Sequence, residues 1–135
     1  MTDAGKAVTV ADLMRPAVTS IERYAHLAAA AYLMKQANDT ALVVIDDAER
    51  RVPIAVITDT DVAQAVADGK DVNNVRISDL VGRVPITVPP STTVRDAADL
   101  MVTSHVRHLP VVDGDRLVGM VDISDACRGL MRQAQ

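Results

Sequence analysis

The chain contains no phenylalanine, no tryptophan and only one cysteine in its 135 residues. With two tyrosines as its only aromatic side chains, it has little surface on which nucleic-acid bases could stack. The net charge is −4 and no run of five like charges occurs, so the sequence argues against a groove for DNA or RNA. The single cysteine, Cys127, cannot form an internal disulfide, which fits a reducing cytosol.

Long apolar runs are absent as well. No segment approaches the roughly 18 continuous apolar residues of a membrane helix, and the start, MTDAGKAVTV, lacks the apolar stretch of a signal peptide. We therefore expect a cytoplasmic protein with neither membrane nor nucleic acid as a partner. With 49% apolar and 24% charged residues, the composition is that of an ordinary globular domain whose core consists of Val, Leu, Ile, Met and Ala.

The sequence is a tandem repeat. Asp12-Leu13 recurs as Asp79-Leu80, at a spacing of 79 − 12 = 67 residues. Beyond the polar turn DDAERR the spacing is 125 − 61 = 64, because Asp61 matches Asp125, so the first repeat has three extra residues. Since turns tolerate insertion, a single constant offset that changes only in a turn indicates a duplication.

Repeat 1 covers residues 8–69 and repeat 2 covers residues 75–133, and each is too small to be stable alone. Both repeats predict the order β-α-β-β-α, a mixed α/β fold in which the repeats pack with pseudo-twofold symmetry into one module. Helical spacing predicts the first long helix of repeat 2 from Val94, Ala97, Ala98, Met101 and Val102, and that of repeat 1 from Leu27, Ala30, Ala31 and Met34. Gly69 is predicted to end the last helix of repeat 1, and Gly114-Asp115 is predicted to form a hairpin turn in repeat 2. The other predicted segments are the edge strands Val18–Ile21 and Pro85–Val88, the short helices Ala11–Met14 and Ser78–Val81, and the last helices Asp61–Ala67 and Asp125–Met131.

The same polar pair follows the last strand of each repeat. It is Thr58 and Asp61 in VITDTDV, and Asp122 and Asp125 in MVDISDA. One interpretation is a capping box, in which the two side chains satisfy backbone N–H groups at a helix start. The other is a ligand site, because a helix N-terminus attracts phosphate and an aspartate one turn along can accept ribose hydroxyls. The pattern alone leaves both open.

Four segments carry a resemblance to a known family: VADLMRPAVTSI, ALVVIDDAERRVPIAVITDTDV, VRISDLVGRVPITV and HLPVVDGDRLVGMVDISDA. Their order, spacing and duplication resemble the CBS domain, named for cystathionine β-synthase, in its tandem-pair form. The resemblance implies a regulatory module that binds AMP, ADP, ATP or S-adenosylmethionine in the cleft between the repeats and forms a homodimer. The alternative is an interaction module of the same fold that binds a protein target and no nucleotide.

The resemblance also implies roles for individual residues. Asp61 and Asp125 match the ribose aspartate, and Thr58 matches the residue on the phosphate side. The sequence departs from the family at Asp122, an anion where phosphate would approach, and at Ala55, where glycine is usual. The residues expected to line the adenine are Ser20, Ile21, Leu42, Val43, Thr87, Val88, Leu109 and Pro110.

Basic residues precede the Leu-Pro strand of repeat 2. The family places such side chains near phosphates, so Arg107 and His108 are candidates, and Arg107 is a hypothetical contact to a phosphate held at the other repeat's helix. The alternative is a solvated helix end. His105 and His108 have the spacing of a metal pair, but no further ligand completes a site, so we expect no metal and no cofactor. Cys127 has no histidine at related spacing, so no enzyme activity is expected.

Overall fold

The computed structural model describes residues 7–15, 19–80, 82 and 84–134. It is a mixed α/β fold, as predicted. In chain order its elements are α1 (Val10–Leu13), β1 (Ser20–Glu22), α2 (Leu27–Ala37), β2 (Ala41–Ile45), β3 (Pro53–Thr58), α3 (Asp59–Ala67), a 3-10 turn (Ile77–Asp79), α4 (Val94–Ser104), β4 (His108–Asp113), β5 (Arg116–Asp122) and α5 (Ile123–Gln133).

Packing divides the chain differently from the sequence repeats. One compact unit lies between residues 19 and 85, and we call it the contiguous unit. The other combines residues 7–15 with residues 86–134, and we call it the composite unit. The duplicated pattern therefore does not by itself tell which segments pack together.

The contiguous unit is built on a three-stranded sheet. β1 runs parallel to β2, and β2 runs antiparallel to β3. Alternate strand residues, including Ile21, Leu42 and Ile57, pack in one apolar cluster with the buried face of α2. Ile77 of the 3-10 turn is fully buried in the same cluster, and its N–H donates to the Ala25 carbonyl at 2.9 Å. The start of the second sequence repeat thus completes the core of the first.

In the composite unit, a segment of the first sequence repeat packs in the core of the second. Its β4–β5 hairpin packs with α4, α5 and α1, and Val10 of α1 is fully buried beside Val94 and Leu109. The Val10 N–H donates to the Thr92 carbonyl at 2.8 Å, and the Val94 N–H donates to the Val8 carbonyl at 2.8 Å. The first helix of the chain therefore belongs to the core formed by the second repeat.

Two details differ from the sequence prediction, and two predicted residues cannot be compared with the structure. The strand predicted over Pro85–Val88 is wrong in extent, because only Val88 pairs, in a parallel bridge with Val111. Pro85 at the start of this segment and Pro89 directly after it lack the N–H that a strand must donate. Val102 was predicted on the buried stripe of α4 but is 67% exposed. Val18 and Val81, the ends of two predicted elements, lie outside the described residues.

Two glycines end elements as their conformations require. Gly69 has φ +78° after α3, and the Lys70 N–H donates to the Ala65 carbonyl at 3.0 Å, which satisfies an otherwise unpaired carbonyl. Gly114 has φ +64° at the first position of the two-residue turn between β4 and β5, where a type II′ turn needs glycine. Both positions were predicted from the sequence.

Candidate functional site

The junction between β3 and α3 is a reciprocal cap. α3 begins at Asp59, two residues earlier than predicted, and Thr58 is its N-cap. Asp61 Oδ2 accepts from the Thr58 N–H at 2.8 Å and from the Thr58 hydroxyl at 3.0 Å. The Asp61 N–H donates to Thr58 Oγ1 at 3.3 Å. Both bonds of the capping box are therefore present.

This cap engages only one of the two carboxylate oxygens of Asp61. Asp61 is exposed. Within the part of the chain that the structure describes, its Oδ1 accepts no hydrogen bond, since both hydrogen bonds of the carboxylate are accepted by Oδ2. The capping role and the ligand role, which the sequence left as alternatives, are therefore compatible at this junction.

The junction between β5 and α5 has the same backbone geometry. α5 begins at Ile123, with Asp122 as its N-cap. The Asp122 N–H donates to Asp125 Oδ2 at 2.9 Å, and the Asp125 N–H donates to Asp122 Oδ1 at 2.8 Å. The Ser124 hydroxyl donates to the same Asp122 oxygen at 2.7 Å. Unlike Asp61, Asp125 is only 4% exposed.

Two arginines complete what we call the arginine–aspartate cluster, formed by Arg15, Asp122, Asp125 and Arg128. Arg15 Nη2 lies 3.0 Å from Asp122 Oδ2 and 3.9 Å from Asp125 Oδ2. Arg128 Nη2 pairs with Asp125 Oδ1. Arg15 is positioned by its own N–H, which donates to the Met120 carbonyl at 3.1 Å. Both oxygens of Asp125 therefore face a guanidinium group.

The two carboxyl groups of the cluster have opposite pKa shifts. Burial raises the pKa of Asp122, but hydrogen bonds from the Asp125 N–H and the Ser124 hydroxyl, with the Arg15 charge, bring it below its usual value. Burial also raises the pKa of Asp125, and the negative charge of Asp122 raises it further, so it stays above its usual value. The cluster thus titrates as a coupled pair.

The repeat alignment shows why the junctions differ. Arg15 corresponds to Gly82, since 15 + 67 = 82, and Arg128 corresponds to Gln64, since 128 − 64 = 64. Gln64 is engaged elsewhere, because its Nε2 donates to Asp68 Oδ1 at 3.0 Å. The sequence interpretation singled out Asp122 but missed the two arginines, although the alignment itself contained that signal.

The predicted adenine residues of repeat 1 lie on two faces of the sheet. Ser20 pairs with Val43, and both lie on the face away from the α2 side, as does Thr58 at the end of β3. Ile21 and Leu42 point into the core cluster and are 7% and 1% exposed. Their side chains pack in the core, so they are accessible to a ligand only through backbone groups.

The predicted residues of repeat 2 all lie in the composite unit. Val88 and Leu109 are core residues, Pro110 is buried and Thr87 is half-buried. His108 pairs with Asp122 across the hairpin, and the carbonyl of the exposed Arg107 accepts from the Ile123 N–H at 2.9 Å.

Next to the junction of β5 and α5, an open pocket of about 360 Å³ is lined by Met101, Val102, His105, Val106, Arg107 and Ile123. The reach of Arg107 to the helix of the other repeat stays a prediction.

Among residues 7–15, 19–80, 82 and 84–134, no three His, Cys, Asp or Glu side chains are grouped so that they could hold a metal ion. His105 ends α4 with φ +57° and is exposed, as is Cys127. No helix in those same ranges is long and apolar enough to cross a membrane.

Comparison with known proteins gives a consistent result. The model of the CBS domain matches the chain twice, at residues 10–68 and 77–132. The CBS domain-containing protein YhcV of Bacillus subtilis is 32% identical over 118 residues, which are 87% of this chain and 81% of that protein. Arabinose 5-phosphate isomerase KdsD of Yersinia pestis is 39% identical over 87 residues, which are 64% of this chain but 26% of the isomerase. The chain thus spans only about a quarter of that enzyme.

Solved structures show the same fold. The CBS domain pair of protein MJ0100, in complex with 5′-methylthioadenosine and S-adenosyl-L-methionine, has a TM-score of 0.83 and 25% identity, and the match covers 96% of this chain and 99% of that one. CBSX2 in complex with AMP has a TM-score of 0.77 and 26% identity, with 95% and 99% covered.

Proposed function

Because the chain belongs to the CBS domain family, with two such domains in tandem, we propose that it is a non-catalytic regulatory module that binds an adenosine-containing ligand. AMP, ADP, ATP and S-adenosylmethionine are the candidate ligands. Support comes from MJ0100 and CBSX2, whose structures hold adenosyl compounds. We place the ligand at the junction of β3 and α3, where the first repeat has its polar pair.

The observation that carries this proposal is that Asp61 is exposed and that only one of its two carboxylate oxygens is engaged within the described residues. Its Oδ2 holds the cap, which leaves its Oδ1 suited to accept the hydroxyls of a ribose. The same helix start presents a positive dipole end to a phosphate. Ser20, which is half-buried, lies on the same face of the sheet as Thr58 and offers a further contact, whereas the side chain of Val43 is fully buried.

Thermal unfolding with each of the four compounds tests the proposal. A ligand at a hundred times its Kd adds about 2.7 kcal/mol to the free energy of unfolding, which raises Tm by several degrees. Asp61→Asn should remove that shift, because the amide keeps an acceptor for the cap but loses the charge and one acceptor. The matched control is Asp96→Asn, at the same position of α4, where the N–H donates to Thr93 Oγ1 at 3.1 Å. If no compound shifts Tm at millimolar concentration, the proposal is wrong.

We also propose that the module assembles as a homodimer through the composite unit. Val102 and Met131 are 67% and 68% exposed, and Val102 lines the open pocket together with Ile123. Apolar side chains exposed on neighbouring helices are typical of an interface. Sedimentation should show a dimer that Val102→Glu converts to a monomer. A wild-type monomer that captures a distinct protein would instead favour the interaction module.

A further inference from the structure

We infer that Arg15 and Arg128 close the second junction, so that the chain takes a single adenosine ligand, at Asp61, and none at Asp125. This inference rests on the proposed function, since it concerns the same kind of site. It assigns to the two arginines the role of excluding a ligand. Neither the capping pattern nor the resemblance to the family gives them that role.

Neither oxygen of Asp125 is without a partner, in contrast to Asp61. Oδ2 accepts from the Asp122 N–H at 2.9 Å and lies 3.9 Å from Arg15 Nη2, while Oδ1 pairs with Arg128. The side chain is 5% exposed, so solvent and ligand have little access to it. A ribose hydroxyl can reach this carboxylate only by displacing a guanidinium group of the same chain.

Displacement is unfavourable for a physical reason. The arginines are largely in solvent, at 43% and 64% exposure, so each pair taken alone contributes little. The cost comes from Asp125, because a buried carboxylate that loses its cationic partner keeps an uncompensated charge. Neutral hydroxyl groups replace that charge poorly, since hydrogen bonds to charged donors are the stronger ones.

The phosphate side of the junction is closed by the same contacts. Asp122 places a second negative charge where a phosphate would approach the helix start. Its Oδ2 holds Arg15 at 3.0 Å, and its Oδ1 accepts from Ser124 at 2.7 Å. Arg15 therefore cannot serve an incoming phosphate without leaving Asp122.

The junction of β3 and α3 has neither arginine. Its counterparts of Arg15 and Arg128 are Gly82 and Gln64, and Asp61 keeps one oxygen exposed. The backbone cap is the same in both copies. The two arginines, together with Asp122, are thus the difference that separates an open junction from a closed one.

Calorimetric titration with the adenosyl compound that shifts Tm tests the inference through stoichiometry. The wild type should bind one ligand per chain. The triple variant Arg15→Ala/Asp122→Thr/Arg128→Gln, which replaces every charged side chain that distinguishes the second junction from the first, should bind two. The matched control is Arg132→Gln, which removes the same charge from an exposed position of α5 and should leave the stoichiometry at one.

The converse variant keeps the inference testable if the triple variant does not fold. Gln64→Arg introduces on exposed α3 the arginine that Arg128 supplies on α5, three residues after the aspartate. It should raise the Kd at Asp61 by about threefold, because Asp61 is exposed and an exposed ion pair contributes much less than a buried one. Asn73→Arg is the control, because it adds the same charge in the turn beside the start of α2, and it should leave the Kd unchanged.

The outcomes separate this inference from the proposed function. Two ligands on the wild type, one ligand on the folded triple variant, or an unchanged Kd for Gln64→Arg would each overturn the closure while leaving the ligand-binding function intact. A wild type that binds nothing, with a triple variant that binds one ligand, would support the closure and contradict the assignment to Asp61. If neither protein binds, both proposals are wrong.

Discussion

Replacing Gly129 of α5 by alanine should destabilise the composite unit, although alanine is the better helix former. A methyl group at this position would lie 2.5 Å from Leu13 Cδ1 and 2.7 Å from Val94 Cγ2. The leucine methyl ends a flexible side chain and can move. Val94 cannot, because it is fully buried and β-branched, and such side chains have one strongly preferred rotamer in a helix.

The expected magnitude follows from two opposing effects. Alanine in place of glycine in a helix contributes about 1 kcal/mol of stability. Overpacking a close-packed core costs about 1–3 kcal/mol, and a contact with a stiff side chain belongs in the upper part of that range. The net effect of Gly129→Ala is therefore a loss of about 1 kcal/mol, which lowers Tm by about 4 °C for a chain of this size.

Chemical denaturation and a thermal scan measure the loss. The matched variant is Ala65→Gly, at the corresponding position of α3, since 129 − 64 = 65 and Ala65 is 2% exposed in its own core. It should also destabilise, by about 1–2 kcal/mol, through helix propensity and the lost methyl group. If Gly129→Ala is as stable as the wild type or more stable, the close packing of α5 against α1 and α4 is refuted.

Two further predictions concern a turn and the ion cluster. Gly69→Ala should cost about 1 kcal/mol in urea unfolding, because φ +78° is unfavourable for any residue with a Cβ; an unchanged midpoint would contradict this. Asp122→Asn should lower the pKa of Asp125 in a carboxyl NMR titration, because it removes the like charge that helps to raise it. In the wild type, the contribution of Asp125 to stability is full below its unfolded pKa and is lost as pH rises through its raised folded pKa. The contribution of Asp122 has the opposite dependence: it is full above the unfolded pKa and is lost as pH falls through the lowered folded pKa. A pKa of Asp125 that does not move in the variant would show that the two carboxyl groups do not interact.

Local features of the fold were predictable from the sequence because their causes are local. The 3.6-residue spacing of apolar side chains predicted α2 and α4, and Gly69 predicted the end of α3. The polar pairs gave both helix starts, although the helices begin at Asp59 and Ile123, two residues before the predicted positions. The edge strand over Pro85–Val88 was overestimated, because apolar composition does not show whether a partner strand is within reach along its whole length.

The sequence by itself determined the duplication, the mixed α/β order and the placement of a capping aspartate at the start of α3 and of α5. Only the tertiary structure decided that α1 packs with the second repeat and that Asp125 is buried between two arginines while Asp61 is exposed. The reason is the range of the interactions. A cap forms between residues three apart, so a short motif specifies it, whereas Arg15 meets Asp122 across 107 residues, a contact that depends on how α1 packs against the hairpin.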